Sequence, residues 1–332
     1  MSQPMNISSV TGAAGLTTRA SEERRLCVRA ARLYYESGLT QEQIGEQLGL
    51  SRVKVNRVLR LARQAGIVEI RIAGIDEPTD AVADHLVARL RLRDAVVVPD
   101  APTGDGLTAE LAKGAAAWLA ERLRPGLRVG LGLGRTISRL PETFRVDRSV
   151  DCSFTEIEGA APAEPTGFAS YNVTSRMGTI AGARTEFIYA PTFVSDRALR
   201  DRLVNEPSIA RALEVARRSD VVLQSVGTVT GSALLHIHGV IGVEDLEQLR
   251  AAGAVGDALG HYFDAEGRHV PFRTDDIHVG LTLEDLRRVP TSVLVAGGPE
   301  KLEAIRGALR GGYFNVVITD LSTADALIAS WP

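Results

Sequence analysis

Two hydrophobic rhythms divide the chain. Between about residues 22 and 66 apolar positions recur every three or four residues, whereas from about 79 onward short β-branched runs alternate with longer amphipathic stretches. In the first region, Glu22–Ser37 predicts a helix with Leu26, Ala30, Leu33 and Tyr34 as its inner stripe. A short second helix carries Ile44 and Leu48 on one face and ends at Gly49, which turns without a Cβ penalty. Ser51 opens a third helix, its hydroxyl suited to a first-turn amide, and Val55, Val58, Leu59 and Ala62 face inward. Residues 67–72 then alternate like a short strand, the wing of a winged helix.

The second rhythm predicts strands at Ala95–Val98, Leu127–Leu131, Ser153–Ile157, Thr185–Tyr189, Val221–Val226, Val293–Ala296 and Val316–Thr319. Helical stretches lie between them, among them Leu107–Leu123, Ser208–Arg217, Glu244–Ala251, Leu283–Arg288, Glu300–Leu309 and Thr323–Ser330. Such alternation specifies a mostly parallel sheet with helices on both faces, a Rossmann-like α/β domain. The expected order is a disordered tail over 1–20, a winged helix-turn-helix over 21–73, a linker over 74–79 marked by Gly74 and Pro78, and an α/β domain over 80–332.

Charge changes the picture of the small module. The whole chain of 332 residues is formally −3, but residues 22–71 hold ten lysines and arginines against six acids, so this segment is +4 and the remainder −7. From Ser51 to Arg63 there are five basic side chains and no acid. A helix with one face dry for its own domain and the other cationic and amide-bearing is what the DNA major groove accepts. The plainer alternative is the solvated face of an ordinary surface helix. On the first reading Arg52–Ala65 is the recognition helix, and the residues expected at double-stranded operator DNA are Thr40, Gln41, Ser51, Arg52, Lys54, Asn56, Arg57 and Arg60. An apolar content of 45% with 24% charge is ordinary for a soluble globular protein. No apolar run is long enough to cross a bilayer and no secretory signal is visible, so a cytoplasmic location without a membrane partner is expected. Cys27 and Cys152 fall in different expected domains and look like small buried apolar residues rather than a disulfide.

In parallel sheets ligands settle where strands exit into glycine-rich turns and helix N-termini. Gly130-Leu131-Gly132-Leu133-Gly134-Arg135-Thr136 is such an exit, able to hold an anion through its amides, Thr136 and Arg135. It reads equally as a tight packing turn, and its spacing is not a dinucleotide fingerprint. Gly297-Gly298-Pro299-Glu300-Lys301 is a second exit, where a first-turn lysine opposes the helix dipole unless an anion binds. Gly253-Ala254-Val255-Gly256-Asp257 is a third, its Asp257 suited either to sugar hydroxyls or to a turn. His236 and His238 alternate, but nothing is spaced to complete a metal site. There is no nucleophile elbow and no phosphate loop. No catalytic residue, metal or cofactor is therefore expected.

In their order and spacing, the helix-turn-helix at 39–66, Leu131–Thr136, Gly253–Asp257 with Tyr262-Phe263-Asp264, and Val295–Lys301 make the chain resemble the SorC-type, DeoR-like sugar-responsive bacterial transcriptional regulators. The resemblance spans about residues 24–330. It implies a C-terminal domain related in fold to sugar-phosphate isomerases, binding a sugar or sugar phosphate as effector without turnover. It places Gly132, Gly134, Arg135 and Thr136 near an effector phosphate, Lys301 as its counter-charge and Asp257 on sugar hydroxyls. Asn172 and Arg176 match a polar stretch near the pocket. Leu133 stands where a tryptophan is frequent, and Gln224-Ser225-Val226-Gly227 replaces a more apolar strand end. The resemblance also implies a homo-oligomer, dimer or tetramer. The competing class is a sugar-phosphate isomerase-like enzyme with an accessory DNA module, for which Asp257 is the visible candidate base.

Overall fold

A computed structural model describes residues 13–68, 78–160, 170–231 and 234–331. The chain forms two compact units, Met1–Ile75 and Asp76–Pro332.

In the first unit, α1 (Ala13–Tyr35), α2 (Gln41–Leu48) and α3 (Arg52–Gln64) surround a small core of Cys27, Ala30, Ala31, Ile44, Val55, Val58, Leu59 and Ala62. Helix α1 begins well inside the stretch expected to be an unstructured tail. Ala13, Ala14, Leu16 and Ala20, followed by Glu22 and Glu23, are strong helix formers, which outweighs the local run of threonines. The expected wing over 67–72 lies outside the described residues from 69 onward, and so does the expected linker over 74–79 up to residue 77; its last two positions, Pro78 and Thr79, already open a helix.

The second unit is built on seven parallel strands, β1 (Asp94–Val98), β2 (Arg128–Leu131), β3 (Ser153–Glu156), β4 (Arg184–Glu186), β5 (Val221–Gln224), β10 (Thr291–Val295) and β11 (Val316–Asp320), in the order β1-β11-β10-β5-β2-β3-β4. Each expected strand lies in this sheet. Alternate residues feed two separate cores: Val97, Val222, Leu294 and Val317 pack with helix α4 (Pro78–Leu90) on one face. Val98, Leu223, Val295 and Ile318 pack with Leu111, Trp118 and Leu119 of α5 (Asp105–Arg122) on the other. Burial of both faces is why these strands read as near-continuous apolar runs.

A second, antiparallel sheet joins β6 (Gly227–Thr228), β7 (Ala254–Ala258), β8 (His261–Asp264) and β9 (His269–Val270). The segment read as a glycine-rich loop at 253–257 is therefore mostly strand β7. Its turn into β8 uses Leu259 and Gly260 with φ of 57° and 73°, the positive pair a two-residue hairpin needs.

The connection leaving β2 runs to β3 on one side, while the next large-sheet strand after β5 is β10 on the other side. Adjacent β2 and β5 thus flank a switch point, where a crevice opens at the strands' carboxyl ends.

Candidate effector cavity and nucleic-acid interface

In the helical unit, Thr40 caps α2: its hydroxyl accepts from Gln43 N, and Gln43 Oε1 accepts from the Thr40 amide at 2.9 Å. Gly49 closes α2 in the left-handed region with φ 67°. Ser51 caps α3, its Oγ accepting from Lys54 N at 3.3 Å. Two of the residues expected at DNA, Thr40 and Ser51, are thus held in caps that fix the start of each helix. Gln41 Oε1 accepts from Asn56 Nδ2 at 3.5 Å, joining the outer surfaces of the two helices.

Arg52, Lys54, Asn56, Arg57 and Arg60 are all exposed, and among the described residues none of the four cations has an ion-pair partner. Between them stands Val53, 80% exposed, which periodicity alone did not single out. The face combines unneutralised charge, one amide and one apolar side chain at the helix start, the chemistry that meets phosphates and base edges in the major groove.

In the α/β unit a cavity of about 580 Å³ opens at the switch point. Gly134, Arg135 and Thr136 reach it after β2, Glu158 after β3, Gln224 and Ser225 at the end of β5, and Gly297 and Lys301 after β10. Asp257 of β7 and the α5 start around Thr103–Thr108 complete the polar wall, while Leu107, Leu111, Phe193, Leu235 and Val240 supply an apolar one. Of the expected effector residues, Gly134, Arg135, Thr136, Asp257 and Lys301 converge here. Gly132 is not itself on the wall, but a Cβ on it would collide with Gln224 Oε1. Its glycine therefore lets the β2 exit lie against a cavity residue. Arg176 is exposed on the helix Ser170–Ala181 and does not line the cavity. Asn172 belongs to the same helix, and its side chain lies outside the described residues.

The buried charges set the cavity's chemistry. Glu158, 4% exposed, accepts from the Leu133 amide at 2.9 Å. Burial raises its carboxyl to about 7 against the lowering effects of the Leu133 amide, His261 and a hydrogen bond from Gln224. Asp257 accepts from the Gly260 amide at 3.1 Å, and burial, with Glu158 adding to it, pushes its carboxyl up to about 6. Burial, with Arg135 beside it, brings Lys301 down to about 8, and its ammonium donates to Ser225 Oγ at 3.4 Å. His278 Nε2 lies 3.8 Å from Glu158 Oε2, and burial holds this imidazole well below its usual pKa. Two cations and two buried carboxyls lining one cavity can hold an anionic polyol through both its charge and its hydroxyls. Glu158, Gln224 and Ser225 escaped the candidate set because they stand at strand ends with no glycine motif around them. The polar Gln224-Ser225 pair breaking an apolar run was the available signal.

The model of the sugar-binding domain family, Sugar-bind, matches residues 77–329. The chain is 32% identical over 309 residues to the deoxyribonucleoside regulator of Bacillus subtilis (strain 168), covering 92% of this chain and 98% of that protein. It is 33% identical over 316 residues to the transcriptional regulator LsrR of Klebsiella pneumoniae, covering 93% and 94%. The full-length sorbitol operon regulator SorC from Klebsiella pneumoniae shares the fold with a TM-score of 0.70 at 24% identity, over 92% of this chain and 99% of that one. The sugar-binding domain of a transcriptional repressor from Vibrio fischeri aligns with a TM-score of 0.69 over 75% of this chain and 98% of that one.

Proposed function

This chain belongs to the SorC/DeoR-type family of sugar-binding transcriptional regulators, and we propose that it couples a sugar-phosphate effector in the switch-point cavity to operator DNA held by helix α3. The observation that carries the effector assignment is the convergence of Arg135 and Lys301 with buried Asp257 and Glu158 in one cavity. Arg135 and Lys301 take the phosphate, assisted by Thr136 and the turn after Gly132. Asp257, Glu158 and Gln224 take sugar hydroxyls, an arrangement that positions a polyol by several directed hydrogen bonds. On DNA, Asn56 and Arg57 address base edges, Arg52, Lys54 and Arg60 address base edges or phosphates, and Val53 meets a thymine methyl. Thr40 and Ser51 act through the caps they form, with Gln41 steadying Asn56. The working form is a homo-oligomer in the cytoplasm, since a two-fold operator needs two recognition helices.

Full-length protein incubated with sheared genomic DNA is expected to retain discrete fragments. One member of a sugar-phosphate panel is expected to change that retention at constant salt. No retained fragment would overturn the DNA assignment, and retention insensitive to every member, with no heat of binding, would overturn the effector assignment. Glu158 gives the enzyme alternative a specific foothold, because a carboxyl poised near 7 is suited to proton transfer. Effector binding without turnover of the same panel supports the regulator; sustained turnover supports the enzyme.

A further inference from the structure

Among the described residues outside the cavity, one cluster has the composition of a metal centre. We propose that His261, His269 and Asp275 form a site for a first-row divalent transition-metal ion of the zinc class, next to the effector cavity. The three side chains offer one ligand atom each, all within 4.8 Å of one another. His269 Nε2 lies 3.1 Å from Asp275 Oδ2, and His261 Nδ1 is hydrogen-bonded to Asp275 Oδ1. Donors bound 2.0–2.2 Å from one tetrahedral ion stand about 3.3 Å apart, so the His269–Asp275 spacing already fits, and His261 has to draw back from its short hydrogen bond to Asp275 to admit the ion.

The backbone holds this arrangement without the ion. Strand β9 pairs with β8 so that His269 faces Phe263, which puts His261 diagonally across the ladder on the same face. Asp275 is fixed by accepting from the Phe272 amide at 2.9 Å, and neighbouring Thr274 donates to the Gly260 carbonyl at 2.7 Å. Two imidazoles and a carboxylate with further positions open suit zinc, cobalt, nickel or iron, rather than magnesium or calcium, which prefer all-oxygen shells. The His269 side chain is 43% exposed and gives an ion its entry, while that of His261 is 8% exposed and encloses the inner side.

A second observation separates this from an aspartate that merely bridges two histidines. If His261 carries its proton on Nδ1 for Asp275, its other nitrogen, Nε2, is a buried acceptor with no hydrogen-bond partner. A metal on Nδ1 moves the proton to Nε2, beside the His278 ring in T-shaped contact at 4.9 Å. His261 directly follows Gly260, whose amide holds Asp257 in the cavity, so an ion here would stiffen the hairpin tip that carries an effector ligand. The site itself does not depend on the regulator reading.

The test is titration of chelator-stripped full-length protein with Zn²⁺ by calorimetry and with Co²⁺ by visible absorption. One ion per chain is expected, with cobalt ligand-field bands displaced by zinc and unaffected by excess Mg²⁺. His269→Ala and His269→Gln are expected to weaken zinc binding at least about tenfold, the loss typical even of a ligand's supporting partner. His85→Ala, on an exposed face of α4, is expected to leave binding unchanged. No saturable binding, or equal affinity in the parent and both His269 variants, would overturn the proposal. Because the His269 side chain is 43% exposed on a two-residue strand, the variants are expected to keep the fold, which unchanged circular dichroism checks.

Discussion

Glu158 keeps its proton at a pH where an exposed glutamate has lost it. Burial raises its carboxyl from 4.5 to about 7, and that of Asp257 from 3.8 to about 6. A carboxyl that binds its proton more tightly folded than unfolded stabilises the fold at low pH. That contribution is lost progressively as pH rises through the interval between the two values. For Glu158 the loss runs from about pH 4.5 to about 7 and is complete above. Glu158→Gln keeps an acceptor for the Leu133 amide but never ionises. The melting temperature of this variant relative to the parent is therefore expected to rise between pH 5 and 8. A pH-independent difference would mean that Glu158 is solvated and ionised throughout. Lys301 titrates outside that window, because burial takes it down only to about 8. It remains largely charged at neutrality and available to an anion. Lys301→Ala is expected to cost about 1.5–3 kcal/mol of sugar-phosphate binding, the value of a charge-assisted hydrogen bond. Calorimetry on the panel measures this, and an unchanged affinity would remove Lys301 from the site or show a neutral effector.

At the scale of elements, the recognition helix depends on its first turn. Ser51 satisfies the Lys54 amide, and Ser51→Ala is expected to cost about 1 kcal/mol of stability in the helical unit. Asn56→Ala, on the exposed face, should leave stability nearly unchanged. It is expected to lose about 1–3 kcal/mol of discrimination at one base pair, read by binding to operator point variants. If Asn56→Ala weakens all sequences alike, the residue serves the backbone instead. The same elements explain what was legible beforehand. The cap at Ser51 and the inward stripe of α3 are local signals, whereas the cap at Thr40, expected only as a DNA contact, emerged with the structure; the large sheet announced itself because both faces of β5, β10 and β11 are dry. The small sheet left no such trace. Strand β6 has two residues, β7 holds Gly256 and Asp257, and its turn places Leu259 at a positive φ that L-residues rarely adopt. Its strands are specified by packing around Tyr262, Leu246 and Leu249 rather than by propensity. The glycine turns at 132–134 and 297–298 marked the cavity's rim. Glu158 joined the lining only when parallel pairing brought the ends of β3 and β5 beside β2, whereas the polar Gln224-Ser225 pair had left a trace in the sequence.

For the whole molecule the question is how a sugar in one unit changes the hold of another unit on DNA. The two units have separate hydrophobic cores, and among the described residues the helical one buries eight apolar side chains. Equilibrium coupling requires the effector to bind the DNA-competent and DNA-incompetent arrangements with different affinity, since equal affinity shifts nothing. A single small helical unit makes too few base contacts for a tight operator complex, so affinity must come from holding two units at a fixed separation. Under the proposed function, the α/β unit, which has the larger core and the cavity, supplies that fixed separation as an oligomer, and the sugar would act by changing its geometry or association. A fragment of residues 1–75 is therefore expected to bind operator weakly and with no response to sugar phosphate. A fragment of residues 79–332 is expected to remain oligomeric and to bind the effector as the full chain does. Sedimentation velocity on the second fragment, with and without ligand, decides the matter. A monomer under both conditions would mean that the separation is set elsewhere in the chain.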